Sequence, residues 1–516
     1  MKKLIISILS LIVFVHCALT QTSDVMLQGF AWLSCQNAAT NRSRWTDLNN
    51  QAAEIGTYFD MIWLPPSSNA EGGNTDNNMG YHPRLWNSQA STWGTQQELK
   101  TLIQSLHDNG VKVLADIVVN HRAGNSWNTF PADNYGTDYT SYQLTYEHIC
   151  KDDEAGTNGY QVGNNYDYNW NVSGDLWGGY AAARDLDHSA EYVRNAVKEY
   201  LKFLKNNIGY DGWRFDLTKG YRPQYAKEYA EAHNAYFAVG EYWSGDVSKL
   251  RVWVLNAGKS VSTFDFANKY AINAWNGGTN YSALVENVDG VNRPKGLIQG
   301  EDLRQYAVTF VDNHDTHPPH ENPQQYTGDI PKAYAYLLSN PGVPCVFWTH
   351  WNSNKTVIKQ QIAARKSVGL NSNSDVTVTN TSGYYESHTI GTSGELICRI
   401  GSWSAGVPDG YTTACSGSGW AYYTKINPNS NQLIMDENRQ LTVYPNPAGD
   451  FIVIDGNEIV GDGSKLLVEI FDINGKQLST TSYNVLQSPT KISVAALKSG
   501  IYYIKIGDSV GRFVKK

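Results

Sequence analysis

Between about residues 24 and 350, eight short apolar runs alternate with stretches of helical period. The runs are VMLQGFAW (25–32), FDMIWLP (59–65), VKVLADIVV (111–119), GWRFD (212–216), YFAVGE (236–241), VSTFDF (261–266), QYAVTFVD (305–312) and PCVFW (344–348). Two intervening segments, TQQELKTLIQSLHDNG (95–110) and SAEYVRNAVKEYLKFLKNNIG (189–209), carry apolar residues at helical spacing and stop at glycine. Fully buried strands separated by amphipathic helices define an α/β chain with a parallel sheet. Eight such units are what a closed (β/α)8 TIM barrel requires, and that is the expected catalytic body, residues 21–354.

The rest of the chain departs from this rhythm. Residues 122–188, rich in Tyr, Asn, Asp and Gly, lie between the third and fourth runs and are too long for an unstructured loop, so they read as an inserted domain. Residues 355–426 open helical and continue as Gly- and Ser-bounded β runs, an antiparallel domain. The polar stretch 427–440 reads as a linker. Residues 441–516, with turns such as Asn446-Pro447 and Asn474-Gly475, describe a C-terminal β-sandwich. At the other end, MKK followed by LIISILSLIVFV has the charge and length of a secretory signal, residues 1–20, and is short for a membrane span. Beyond it stand five cysteines, an odd number with no zinc spacing, of which Cys398 and Cys415 are either a disulfide or two free thiols. A net charge of −8 argues against nucleic acid or an anionic membrane as partner.

In a β/α barrel, chemistry gathers at the C-terminal ends of the strands. Those ends carry Asp116, Asn120 and His121 after the third run, Arg214 and Asp216 after the fourth, Glu241 after the fifth, and Asp312, His314 and Asp315 after the seventh. Arg214 and Asp216, two apart on a strand, face the same side, and a neighbouring guanidinium favours an ionised carboxylate. Glu241 lies between Gly240 and the aromatic pair Tyr242-Trp243, with less compensation in its sequence neighbours. One ionised and one protonated carboxyl at one mouth is the requirement of glycoside cleavage. An aromatic content of 12% suits stacking against sugar rings, though it suits large cores as well.

DIVVNH, GWRFDLTKG, AVGEYW and FVDNHDT, in this order, resemble the four sequence regions of glycoside hydrolase family 13, the α-amylase family, over about residues 24–425. LQGFAW, IWLPPSS and MGYHPRLW add a similarity to its plant-type members. The resemblance implies Asp216 as nucleophile, Glu241 as general acid/base and Asp315 as the third acid, with Tyr81, His121, Arg214, Lys219 and His314 binding substrate. It implies a Ca2+ site made by Asn120, Asp175, Asp185 and the carbonyls of Gly178 and Gly220, pinning the insertion to the barrel. Two places depart from the family pattern: Arg184 stands where Pro is frequent, and HPPHENPQQ follows HDT. In the tail, YPNPA, FDINGK, SGIYYIKI and FVKK resemble the sorting domain of the type IX secretion system. A starch-binding module is the competing reading of the tail, which lacks a Trp pair for such a platform.

The expectation is therefore a secreted, monomeric, Ca2+-dependent, retaining α-amylase acting on starch and maltooligosaccharides. Export would run through the type IX machinery, to the medium or the cell surface. A transglycosylase of the same family and a non-catalytic α-glucan-binding protein are the alternatives.

Overall fold

The computed structural model describes residues 22–72, 79–153, 156, 159–166, 183–320, 324–427, 441, 443–454, 466–472, 477–483, 490–506 and 509–516. The signal segment 1–20, the linker from 428, the Asn474-Gly475 turn, Asp175 and Gly178 lie outside these residues.

All eight expected runs form strands of one closed parallel barrel: β1 Met26–Gln28, β2 Met61–Leu64, β3 Lys112–Ile117, β4 Gly212–Phe215, β5 Ala238–Gly240, β6 Ser262–Phe264, β7 Ala307–Phe310 and β8 Val343–Phe347. Each pairs with its sequence neighbours, and β1 closes the ring against β8 through Met26–Cys345. The strands are shorter than the apolar runs. The residues that end each run leave the ladder and turn into the mouth, which is where the polar side chains sit.

The helices end as their sequences dictate. Thr95 and Glu98 form a reciprocal capping box at the start of helix Gln96–Asp108, whose buried stripe is Leu99, Leu102, Ile103 and Leu106. The helix Glu191–Phe203 widens into a π turn over Leu204–Ile208 and stops at Gly209, whose φ of 109° only glycine adopts without strain.

Behind the barrel, strands 375–380, 384–390, 394–401, 412–417 and 420–426 build a five-stranded antiparallel sheet. It shares one hydrophobic core with the barrel: Leu396, Cys398, Ile400 and Tyr422 are buried against helix Ile330–Ser339, and the Tyr422 hydroxyl donates to the Ala335 carbonyl at 2.6 Å. Cys398 and Cys415 are both free. They sit on strands that flank the one carrying Tyr422, two spacings or roughly 9–10 Å apart, beyond the reach of a disulfide. Of the two readings left open by the sequence, free thiols is the one the fold takes.

Among the described residues, the C-terminal part forms two antiparallel sheets, of three and four strands, around a separate core that includes Ile452, Ile454, Val468, Ile504 and Phe513. Among the described residues, no helix is long and apolar enough to cross a membrane.

Candidate active site

Arg214 lies at the centre of the mouth, fully buried on β4. Register places it beside Asp116 of β3 and Val239 of β5. Its Nη1 donates to Asp116 Oδ1 at 2.7 Å and to Asp216 Oδ1 at 2.6 Å, and its Nη2 lies 2.8 Å from Glu241 Oε1. The guanidinium stands 4.9 Å from the Trp63 ring centroid. Burying one cation against three carboxyls is tolerable only because two contacts are charge-assisted hydrogen bonds and the third is a close ion pair.

Asp116 holds the floor of the site. Its Oδ2 accepts from the Trp63 indole at 3.0 Å and from the Tyr81 hydroxyl at 2.8 Å. Burial pushes its carboxyl upward, but donors are aimed at both of its oxygens, so it is the ionised form that fits. The shared proton of the cluster therefore belongs elsewhere. Burial, reinforced by Asp216 and Asp315, raises Glu241 to about 8 against the pull of Arg214, and Asp315 is also raised by burial.

Backbone geometry finishes the placement of Glu241. Leu217 has a φ of 42°, in a region costly for a branched residue, and its N–H donates to Glu241 Oε2 at 3.0 Å. The donor that fixes Glu241 is thus the backbone N–H of the residue directly after Asp216.

The fourth side is aromatic. His314 and Tyr81 stack with ring centroids 5.2 Å apart, and Trp32 stacks on both, at 5.9 and 6.1 Å. Gln28 of β1 reaches His314 Nδ1 at 3.0 Å, and His314 Nε2 lies 3.3 Å from Asp315 Oδ2. Burial pushes His314 well below the usual histidine range, so it is neutral at this site. His121 Nε2 sits 2.9 Å from the Tyr81 carbonyl, and Lys219, buried, stands 5.7 Å from the Tyr242 ring. Asp312, at the end of β7, turns away to pair with buried Lys269 at 2.6 Å and has no part in the mouth.

Asp216, Glu241, Asp315, Tyr81, His121, Arg214 and His314 thus meet in one place. Gln28, Trp32 and Trp63 belong to it too, although sequence reasoning assigned them no site role, and so does Asp116, which it placed at the mouth without a role. The signal was available for Gln28 and Asp116: each is a polar residue inside an otherwise apolar strand, at its mouth end. For Leu217 no residue type announces the strain.

Of the expected cation ligands, Asn120, Asp185 and Gly220 are described and converge. The Asn120 amide nitrogen donates to Asp185 Oδ1 at 3.2 Å, and the Gly220 backbone approaches so closely that a Cβ there would overlap the Asn120 side chain. An amide oxygen, a carboxylate and a main-chain carbonyl are the hard oxygen donors that Ca2+ takes.

A buried arginine joining three acids at the C-terminal face of a β/α barrel defines a carboxylate enzyme of the glycoside-cleaving kind. The family model of the α-amylase catalytic domain matches residues 53–350, and the chain belongs to that family, glycoside hydrolase family 13. Among its relatives, probable alpha-amylase 2 of Arabidopsis thaliana is 28% identical over 428 residues, covering 78% of this chain and 94% of that protein. The chloroplastic alpha-amylase 3 of the same plant is 30% identical over 351 residues, covering 63% of this chain and 35% of that longer protein. A glucan 1,4-alpha-maltotetraohydrolase of Roseateles saccharophilus is 28% identical, covering 68% and 63%. The crystal structure of a gamma-CGTase from alkalophilic Bacillus clarkii shares the fold at a TM-score of 0.54 and 14% identity, covering 96% of this chain and 84% of that one. Residues 442–516 match the secretion system C-terminal sorting domain, which marks the protein for the extracellular space or cell surface through the type IX machinery.

Proposed function

We propose that the protein is a secreted α-amylase that cleaves internal α-1,4-glucosidic bonds of starch and related α-glucans with retention of configuration. The observation that carries this reading is the Arg214 bridge, which holds an Asp216 oxygen and a Glu241 oxygen on two nitrogens of one guanidinium. Retaining cleavage needs its two carboxyls about 5–5.5 Å apart, a spacing one guanidinium can span. In this reading Asp216 attacks the anomeric carbon as Glu241 gives its proton to the leaving oxygen. Glu241 then takes a proton from the water that opens the glycosyl–Asp216 ester. Asp315, His121 and His314 hold the hydroxyls of the cleaved sugar, Tyr81 stacks on its ring, and Lys219 reaches the next unit. The domain division of the chain, with a removable signal at 1–20, an insertion at 122–188 and a linker at 427–440, belongs to the same proposal.

The test is incubation with soluble starch and with a maltooligosaccharide of defined length. Viscosity should drop well ahead of reducing-end release, and the first products should be α-anomers shorter than the starting chain. Release of β-anomers would remove the retaining mechanism, and products longer than the starting chain would reassign the protein to glycosyl transfer.

The raised Glu241 sets a pH dependence. A proton donor near 8 predicts that kcat/KM falls about tenfold per pH unit above that value. It also predicts a stability trend. A carboxyl whose folded pKa lies above its unfolded value contributes in full below the unfolded value, about 4.5, and that contribution is lost as pH rises toward about 8. Thermal melting should decline across this window and decline less in Glu241→Gln; equal slopes in the two proteins would remove Glu241 as the proton's holder.

We also propose one structural Ca2+ held by Asn120, Asp185 and the Gly220 carbonyl, with Asp175 and the Gly178 carbonyl as further ligands. The ion would supply fixed positive charge between the insertion and the barrel. Binding to the folded chain alone stabilises it by about 2.7 kcal/mol at a hundred times Kd. Excess chelator should therefore lower Tm by several degrees, and Ca2+ should restore it; an unchanged Tm would count against the ion.

A further inference from the structure

Two arginines face each other where the insertion meets the barrel. Strand residues 121–122 and 184–185 pair antiparallel, His121 opposite Asp185 and Arg122 opposite Arg184. Like charges directly opposite each other on one ladder destabilise it, so each needs its own compensation. Each has the same kind. Arg122 pairs with buried Asp133 at 2.7 Å and stands 4.5 Å from the Trp86 ring, while Arg184 lies 3.6 Å from buried Asp153 and 3.7 Å from the Trp127 ring. Trp127 is in turn stacked on Tyr160 at 6.0 Å.

The second set does something the first does not. Asp153 turns one oxygen to Arg184 and uses the other, Oδ2, to accept the backbone N–H of Asp185 at 2.9 Å. The Asp185 carbonyl accepts from the Cys150 N–H at 2.9 Å, and Leu186 N–H donates to the Asn120 carbonyl at 2.9 Å. The main chain of Asp185 is thus fixed on both sides, and its neighbour is tied to Asn120. Asp153 has both oxygens engaged by the chain itself. Its carboxylate is fully buried, and the arginine supplies a countercharge for it there.

We propose that Arg184, standing where the family often has Pro, is a positioning residue for the cation site: clamped on Trp127, it orients Asp153, and Asp153 sets the backbone of Asp185. The proposal rests on the Ca2+ reading above. Without Arg184, buried Asp153 loses this countercharge and its hold on the Asp185 N–H loosens, so the Asp185 carboxylate loses its registry with Asn120 and Gly220. Trp127 supplies the flat face that keeps the guanidinium in plane, a role lysine cannot fill.

The test uses the full-length protein stripped with chelator, titrated with Ca2+ alone by calorimetry, with Tm measured in chelator and in saturating Ca2+. Arg184→Ala should raise the Kd for Ca2+ by about tenfold or more, the usual size of losing a group that orients a ligand. Arg184→Lys should fall between, and Trp127→Leu should weaken binding while Trp127→Phe keeps it. These milder variants carry the comparison should Arg184→Ala fail to fold. A Kd within twofold of wild type, with Tm lowered equally in chelator and in Ca2+, would make the brace merely structural and overturn the proposal. A wild-type protein that neither binds Ca2+ nor shifts its Tm would instead remove the cation reading, and the positioning role with it.

Discussion

Asp216→Asn should abolish starch hydrolysis, with kcat falling on the order of 10³–10⁵-fold, while the fold survives. The size follows from what is lost: an amide cannot form the glycosyl ester, and removing one member of a unit that acts together costs nearly as much as removing the whole. The fold survives because Asn keeps the shape and an oxygen that can still accept from Arg214 Nη1, now 2.6 Å from Asp216 Oδ1. Reducing-end release from soluble starch and a melting curve check the two halves separately. Turnover near wild type would remove Asp216 as nucleophile.

Arg214→Leu should do more damage to stability than any other single change in the site. It strips one buried cation from three carboxylates at 2.6–2.8 Å. Breaking a buried ion pair from one side costs about 3–5 kcal/mol, since the partners stay buried and uncompensated. The loss has a signature. Asp116 and Glu241, both already raised by burial, then take up protons more readily, so their folded pKa values rise further above the unfolded ones, and the deficit should be small near pH 4 and grow as pH rises. Denaturant unfolding at pH 5 and pH 8, followed through tryptophan fluorescence, measures it. Arg214→Lys should rescue little, because a point charge cannot hold three oxygens in fork geometry. A leucine variant as stable as wild type at pH 8 would mean that the acids do not depend on this guanidinium.

How legible the site was depended on what kind of information each residue carried. The strand-end acids were readable because a strand that faces the inside of a barrel has no reason to end in Asp or Glu. Asp312 shows the limit of that rule: it ends a strand as Asp216 does, yet a helix residue, Lys269, reaches over and pairs with it. Nothing near Asp312 in the sequence announces a partner 43 positions away.

The sequence by itself determined the eight-strand alternation, the three acids and the arginine among them, and the motifs of the sorting tail, all of which are patterns of neighbouring residues. Tertiary structure decided the rest: that Arg214 would join Asp116, Asp216 and Glu241, that burial would raise Glu241, that Leu217 would be held in strain, and that Cys398 and Cys415 would stand two strands apart. The physical reason is range. Periodicity and turn chemistry act over a few residues and are written locally. Burial, charge compensation and register arise only when segments up to hundreds of residues apart are packed into one low-dielectric space.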